Sequence, residues 1–307
     1  MSERPFSDRQ GKIWVDGELI DWSDAKVHVL THALHYASSV FEGERSYQGN
    51  VFKLREHSQR LIDSAKALDM DIPFTVEEID DATNAVVSIN AKEAGGEINN
   101  GNCYVRPLAW RGSEGMGVTN KEAKVHVMIA AWPWDYLGAE IREQGVRLGP
   151  ARYNRPSPDT FPATVKCSGL YTICTLNKNA AKEAGFDDAL VLGPRGQIAE
   201  STSANLFLVI NDELVTPIPD CFLNGITRQS VISLAEKAGL KVVVRDINPQ
   251  ELHDASEGFL TGTAVELAPI RSVSLTVDQS PIEKEYGVPG PITKDLLAAF
   301  DQATQGS

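Results

Sequence analysis

Three features of this sequence have residue types and settings that could do chemistry. Lys166 lies among small and apolar neighbours, and a lysine amine becomes a nucleophile when burial or nearby positive charge keeps it neutral. Glu200 offers a carboxylate, although the Ser-Thr-Ser that follows is equally typical of a capped turn. Gly225-Ile226-Thr227 opens a predicted helix, whose first N–H groups could bind an anion. Taken alone, Lys166 would be read as a solvated surface lysine.

The residues around Glu200 follow a recognisable order. The run Glu200-Ser-Thr-Ser-Ala-Asn-Leu-Phe207 is followed by Leu214-Val-Thr216 and by Leu223-Asn-Gly-Ile-Thr-Arg228. This order closely resembles the signature of the class IV aminotransferases, which use pyridoxal 5'-phosphate (PLP). The resemblance implies that Lys166 holds PLP as a Schiff base. It also implies that Glu200 keeps the pyridine nitrogen protonated, so that the ring accepts electrons.

Further segments are similar to one subfamily, the branched-chain amino acid aminotransferases. The similarity covers nearly the whole chain, and the segments that resemble this subfamily are His32–Tyr36, Ser39–Gly43, Tyr104–Pro107, Gly115–Val118 and Tyr136–Glu140. The resemblance implies a two-domain PLP-dependent transferase of fold type IV, of the α+β or α/β class. Its small N-terminal α/β domain would precede a larger C-terminal domain with a barrel-like sheet. It also implies a homodimer, or a higher assembly of dimers, with an active site shared across the interface.

The same resemblance assigns the cofactor contacts. Lys166 would hold PLP and move the proton between the substrate Cα and the cofactor, and Tyr171 would hydrogen-bond the phenolic oxygen of PLP. The residues expected to bind the phosphate are Arg55, Ile226, Thr227 and Thr263. Arg55 stands at the start of a predicted helix, where the helix dipole disfavours a cation, and this position hints at another role.

The resemblance also assigns the substrate contacts. Tyr104 and the main chain of Thr263-Ala264 would take the α-carboxylate, beside Gly43. An apolar wall would hold the side chain; it comprises Phe41, Tyr36, Trp134, Tyr136 and Val118, with Tyr36 and Val118 supplied by the neighbouring subunit. Arg106, with Tyr36 and Tyr136, would receive the second carboxylate of glutamate. An apolar wall with one arginine at its edge would serve both kinds of side chain. Glu44 departs from the family, because many members carry an aliphatic residue there.

Hydrophobic periodicity predicts the elements that must position these residues. We expect a first domain over residues 1–135, a linker over 136–150 and a second domain over 151–307. Helices are predicted at 55–70, 76–94, 169–184, 227–238 and 291–300. Strands are predicted around a hairpin with an Asp16-Gly17 turn, and at 26–30, 39–41, 103–110, 124–132, 189–192, 205–210, 214–216, 241–245 and 258–260.

Composition limits the partners of the protein. A net charge of −13 disfavours nucleic acid and anionic membranes. No apolar run approaches the roughly 18 residues of a membrane span, and the first residues carry no apolar signal core, so a cytoplasmic location is expected. The four cysteines lack metal-ligand spacing, so we expect reduced thiols and no metal.

The reaction implied is transfer of the amino group of L-leucine, L-isoleucine or L-valine to 2-oxoglutarate. It would be reversible and ping-pong, giving branched-chain 2-oxo acids and L-glutamate. One alternative is a class IV enzyme acting on D-amino acids or (R)-amines, which Tyr104-Val-Arg106 disfavours. The other is an aminodeoxychorismate lyase-like enzyme, whose members are usually shorter and lack the Phe41-Glu-Gly43 and Gly115-Met-Gly-Val118 segments.

Overall fold

The computed structural model describes residues 5–93, 101–134, 139–277 and 279–305. The described chain forms two compact units. The first contains residues 5–93, 101–134 and 165–169, and the second contains residues 139–164, 170–277 and 279–305. The segment 165–169 belongs to the first unit because its main chain pairs there: Cys167 forms a bridge with Val40, and the Phe41 amide donates to the Lys166 carbonyl.

Seven strands of the first unit form one sheet within its described residues. They are β1 (Lys12–Val15), β2 (Glu18–Asp21), β3 (Ser39–Phe41), β4 (Glu44–Tyr47), β5 (Asn50–Val51), β6 (Tyr104–Arg111) and β7 (Val125–Trp132). The strand order is β2-β1-β7-β6-β4-β5, and β3 also pairs with β6. Three helices accompany them: α1 (His32–Tyr36), α2 (Leu54–Lys66) and α3 (Val76–Glu93). Helix α3 packs on β7 and α2, and α2 packs on β3.

Local sequence patterns decide most of these elements. The predicted Asp16-Gly17 turn is confirmed, since both residues have positive φ and join β1 to β2. The helices predicted at 55–70 and 76–94 are found as α2 and α3. Helix α2 buries Leu61 and Ala65 at helical spacing, as an amphipathic helix does. The predicted strand at 26–30 is wrong. Val27 and Val29 are exposed there, and no described strand lies beside the segment to pair with it.

The second unit contains the remaining described strands. They are β8 (Val146–Pro150), β9 (Asp188–Leu192), β10 (Ile198–Ser201), β11 (Asn205–Ile210), β12 (Glu213–Thr216), β13 (Val242–Val244), β14 (Glu257–Gly262), β15 (Glu266–Val277) and β16 (Ser280–Glu285). Strand β10 pairs with β9 on one side and with β11 on the other. The sequence of neighbours β10-β9-β8-β15-β14-β11 therefore closes on itself, and this barrel-like sheet matches the sequence expectation.

Helices pack around this closed sheet. They are α4 (Ala139–Gln144), α5 (Tyr171–Glu183), α6 (Ile226–Lys237) and α7 (Pro291–Gln305). Strand β11 is buried along its whole length, as its apolar run Leu206–Ile210 requires. Its Leu206 and Leu208 join Leu260 and Ile270 in the main apolar core of the unit. No helix of the described residues is both long and apolar enough to cross a membrane.

The structure differs from the expected organisation at the domain boundary. Residues 139–150, expected in a linker, form α4 and β8, and β8 pairs with β9 and β15 inside the second unit. Lys166, expected in the second domain, is held in the first unit by the pairing of its neighbours with β3.

Candidate active site

The main chain of Lys166 is fixed on two sides. Its carbonyl oxygen accepts a 3.1 Å hydrogen bond from the Phe41 amide, and its own amide donates to Ser64 Oγ on α2 at 3.3 Å. Next to it, Ser39 Oγ donates to Ser168 Oγ at 2.8 Å. Strand β3 and helix α2 therefore set where the lysine side chain starts.

The Lys166 amine lies in a setting that disfavours its charged form. Its Nζ lies 4.9 Å from the centre of the buried Phe41 ring. Burial lowers the pKa of Lys166 to about 8; Glu42 opposes this shift, and the nearby charges of Arg60 and Arg106 add to it. A substantial fraction of the amine is therefore neutral near pH 8, as a nucleophile or a proton acceptor requires.

Arg106 and Tyr104, both on β6, lie close enough to Lys166 to act on its charge. The Arg106 guanidinium lies 4.6 Å from the Phe41 ring centre, and its Nη2 donates to the Tyr104 hydroxyl at 2.6 Å. A side chain at Gly43 would collide with that hydroxyl, so only glycine lets the Tyr104 hydroxyl come so close. The structure thus brings together Phe41, Gly43, Tyr104, Arg106 and Lys166.

A cavity of about 1020 Å³ opens on the first unit, as far as its described residues define it. Its lining is mainly apolar and includes Trp22, Trp110, Trp132 and Trp134, with Lys26 and Arg106 contributing cations. Trp134 also packs edge-on against Tyr104, with ring centres 4.7 Å apart. The predicted pocket residue Tyr136 lies outside the described residues. Arg106 and Ser168 place this cavity beside the Lys166 segment, although Lys166, Phe41 and Tyr104 do not line it.

A buried ion-pair cluster that sequence reasoning missed lies beside the lysine. Glu42 Oε1 and Oε2 each accept a 2.7 Å bond from the Arg60 guanidinium, and Oε2 also accepts from His57 Nδ1 at 2.7 Å. Burial alone would raise the pKa of Glu42, but Arg60 and His57 hold it well below its usual range. Helical spacing places residues 57, 60 and 64 on one face of α2, but only the tertiary contact between Ser64 and Lys166 shows that this face meets the lysine.

Arg55 is not part of this arrangement. Its side chain is 56% exposed and pairs with Glu77 and Asp80 on α3. The hydrogen bond to Glu77 leads the interactions that raise the pKa of Arg55. Arg55 thus pairs with α3, whereas Arg60, on the same helix α2, is one of the two arginines whose charge lowers the pKa of Lys166.

Tyr36 and Val118 are exposed, at 45% and 83%, rather than gathered around Lys166. His32 holds the two segments that carry them. Its ring lies 4.6 Å from the Tyr36 ring, and its Nε2 donates to the Gly117 carbonyl at 2.8 Å. Val29, Leu34 and Met116, which lie in the same two segments of the chain, are exposed as well.

Glu200 lies buried on β10 in the second unit, opposite Asn205 on β11. Arg155 pairs with one carboxylate oxygen, and Asn205 Nδ2 donates to the other at 3.1 Å. Although burial opposes it, the charge of Glu200 raises the pKa of Arg155, and Tyr171 contributes to the same shift. Glu200 is thus an oriented carboxylate rather than a solvent-exposed turn residue.

Two candidate phosphate-binding segments lie at the same edge of the second sheet as Glu200. Helix α6 begins at Ile226, and Thr227 is buried in its first turn. The N-cap residue Gly225 provides no side-chain hydrogen bond to the first N–H groups of the helix. The turn of Thr263 and Ala264 joins β14 to β15. Asn205 pairs with Thr261 across β11 and β14, which places this turn near Glu200.

Sequence comparison places these residues in a known family. A model of the amino-transferase class IV family matches residues 39–273. A branched-chain-amino-acid aminotransferase of Pseudomonas aeruginosa is 40% identical over 306 residues, covering 98% of this chain and 95% of the relative. The enzyme of that name from Escherichia coli K12 is 39% identical over 295 residues, covering 94% and 91% of the two chains.

Solved structures show the same fold. The crystal structure of the Escherichia coli branched-chain amino acid aminotransferase matches with a TM-score of 0.86 and 38% identity, over 96% of this chain and 94% of that one. The T.th. branched-chain amino acid aminotransferase, solved with pyridoxamine 5'-phosphate, matches with a TM-score of 0.86 and 38% identity, over 97% and 95%. The expected two-domain transferase fold of type IV is therefore confirmed.

Proposed function

This chain belongs to the amino-transferase class IV family, and on that premise we propose that it is a PLP-dependent branched-chain-amino-acid aminotransferase. It transfers the amino group of L-leucine, L-isoleucine or L-valine to 2-oxoglutarate, reversibly. The observation that carries the proposal is the position of Lys166, whose main chain is bonded to Phe41 and whose buried amine lies 4.9 Å from the Phe41 ring centre, where burial lowers its pKa. Such an amine accepts and returns protons near neutral pH.

Each unit, taken by itself, contains groups that fit PLP. A lysine amine of lowered pKa, a buried carboxylate held by donors and a helix N-terminus without a side-chain cap are the groups this cofactor requires. When bound, PLP supplies an electron-accepting ring that stabilises negative charge at the substrate Cα. In our proposal the Glu200 carboxylate would accept a hydrogen bond from the protonated ring nitrogen, and Tyr171 would donate one to the phenolic oxygen.

The phosphate contacts follow from charge and from the N–H groups at the start of a helix. We propose that the first N–H groups of α6, at Ile226 and Thr227, and the Thr263 hydroxyl donate to the phosphate. Arg60 takes the place that the sequence assigned to Arg55, because it lies close enough to Lys166 to lower its pKa. The bidentate pairing with Glu42 orients the Arg60 guanidinium.

The substrate contacts divide by chemistry. Tyr104 and the main-chain N–H groups of Thr263 and Ala264 take the α-carboxylate, while Phe41 and Trp134 wall the aliphatic side chain. Arg106 receives the second carboxylate of 2-oxoglutarate or glutamate. Lys166 moves the proton at Cα, the step that distinguishes amino transfer from simple binding.

We also propose a homodimer in which Tyr36 and Val118 complete the site of the neighbouring subunit. Exposed apolar patches of this kind mark protein contacts, and a second copy would cover Val29, Leu34 and Met116.

The four cysteines are buried and form no disulfide, which suits a reducing cytoplasm, the compartment we propose.

A complementation experiment tests the shared site. Lys166→Ala and Tyr36→Ala proteins are mixed under conditions that exchange subunits. If Tyr36 acts in the neighbouring subunit, each mixed dimer keeps one site free of both substitutions, and activity returns. If Tyr36 acts in its own subunit, no mixed dimer has an intact site and activity stays absent.

The test of the reaction itself uses PLP-loaded protein and L-leucine alone. We expect L-leucine to convert the absorption band of the bound cofactor to that of its aminated form, and 2-oxoglutarate to reverse the change. No change with L-leucine, but a change with D-alanine or an (R)-amine, would move the assignment to a class IV enzyme of opposite stereochemistry.

A further inference from the structure

The Asn205 side chain joins Glu200 to the start of α6. Its Nδ2 donates to Glu200 Oε2 at 3.1 Å and to the Leu223 carbonyl at 3.0 Å. Its Oδ1 accepts a 3.1 Å hydrogen bond from the Gly225 amide. One buried amide thus contacts the carboxylate assigned to the ring nitrogen and both sides of the turn that leads into the helix assigned to the phosphate.

The chemistry of the partners sets the orientation of this amide. A carboxylate and a carbonyl only accept hydrogen bonds, so they must face Nδ2, while the Gly225 N–H must face Oδ1. Rotating the amide by half a turn would place donor against donor and acceptor against acceptor. Asn205 is also held by its strand pairing, opposite Glu200 on β10 and Thr261 on β14.

Position 225 must be glycine for Asn205 to come this close to the turn. A Cβ at position 225 would collide with Asn205 Oδ1, so any larger residue would push the turn off the amide. The N–H of Gly225 is used by Asn205, which leaves the N–H groups of the next residues, Ile226 and Thr227, for an anion. From the other side, Arg228 anchors the helix through Thr216 Oγ1 and the Pro217 carbonyl.

We propose that Asn205 is a positioning residue that fixes the spacing between Glu200 and the N-terminus of α6, and so couples the charge at the cofactor's ring nitrogen to the hold on its phosphate. The inference rests on the proposed function, since it takes Glu200 and α6 as the two ends of the PLP site. In this proposal Asn205 acts through its hydrogen bonds to Glu200 and Gly225.

Two substitutions separate the two links. Asn205→Ala removes the bonds to both Glu200 and Gly225. Asn205→Asp keeps an oxygen for the Gly225 N–H but loses both donors and puts a carboxylate opposite Glu200. Asn177→Ala is the matched control, because Asn177 is also buried in the second unit and bonds only the main chain of Tyr153 among the described residues.

The readouts are dissociation constants of the apoenzyme for PLP and for pyridoxal, which lacks the phosphate, and the NMR shift of isotope-labelled ring nitrogen in bound PLP. We expect Asn205→Ala to weaken PLP binding by about 10- to 100-fold, to shrink the preference for PLP over pyridoxal and to move the ring-nitrogen shift towards the unprotonated form. Asn205→Asp should move the nitrogen shift while largely keeping the preference for PLP. Asn177→Ala should change neither.

The outcomes separate the inference from the proposed function. If Asn205→Ala and Asn205→Asp both keep the wild-type nitrogen shift and bind PLP within about twofold of wild type, Asn205 is a structural residue only and the inference is overturned. If wild-type protein binds PLP but does not transaminate, the proposed function fails while these measurements still decide the inference. If wild-type protein does not bind PLP, both fail.

Discussion

Glu44 should make the first unit lose stability as pH rises, and Glu44→Gln should abolish that loss. Its carboxylate is fully buried, and neither oxygen accepts a hydrogen bond from the described residues. Burial, with the negative charges of Glu42 and Asp80, raises the pKa of Glu44 well above its ordinary value, and Arg60 only partly opposes this. The folded protein therefore keeps this side chain protonated where the unfolded chain ionises it.

The sign and size follow from proton linkage. Because the pKa is higher in the folded state, the folded protein binds one more proton between the unfolded value of 4.5 and the raised folded value. The stability from this group is fully present below 4.5 and is lost as pH rises through the folded pKa. Within the window, wild type should lose about 1.4 kcal/mol per pH unit relative to Glu44→Gln.

The assay is urea unfolding followed by tryptophan fluorescence at several pH values from about 5 to 7.5. All five tryptophans of the chain lie in the first unit, so their emission reports on the unit that contains Glu44. Glu18→Gln is the control, because Glu18 is exposed on β2 and should leave the pH slope unchanged. Parallel curves for wild type and Glu44→Gln would show that Glu44 ionises in the folded protein and would refute the reasoning.

Three further predictions concern the site. Lys166→Ala should lose both turnover and the absorption band of the cofactor bound at this lysine; normal transamination by this protein would remove Lys166 from its role. Arg60→Lys should weaken PLP binding by about tenfold, because the guanidinium fork is lost, whereas Arg55→Lys should stay within about twofold; dissociation constants decide between them. Arg106→Leu should slow the 2-oxoglutarate half-reaction by about 10- to 100-fold and the leucine half-reaction much less, as single-turnover rates would show. Equal losses in both half-reactions would contradict the role of Arg106.

Local sequence patterns predict much of the fold. The spacing of apolar residues in α2 and the Asp16-Gly17 turn are written in short stretches, because side-chain contacts three or four residues apart and turn geometry are local. The strand predicted at 26–30 shows where such patterns stop. A strand exists only where another strand pairs with it, and alternation alone does not say whether one does.

The candidate site divides in the same way. The order of the motifs identifies Lys166, Glu200 and the turn before α6 as candidates, because residue types and their spacing can be read directly from the sequence. The choice of Arg60 over Arg55 required knowing which face of α2 meets the lysine. The raised pKa of Glu44 also depends on tertiary structure, because it results from burial and from the charges of Glu42 and Asp80.

The sequence by itself determined the family and the principal helices, and it pointed to Lys166 as the candidate cofactor lysine, because these depend on residue identity and on contacts close along the chain. Only the tertiary structure decided which charges surround Lys166 and how Asn205 links Glu200 to Gly225. The physical reason is that pKa values and buried hydrogen bonds depend on distances of a few ångströms between groups far apart in sequence. Packing alone sets those distances.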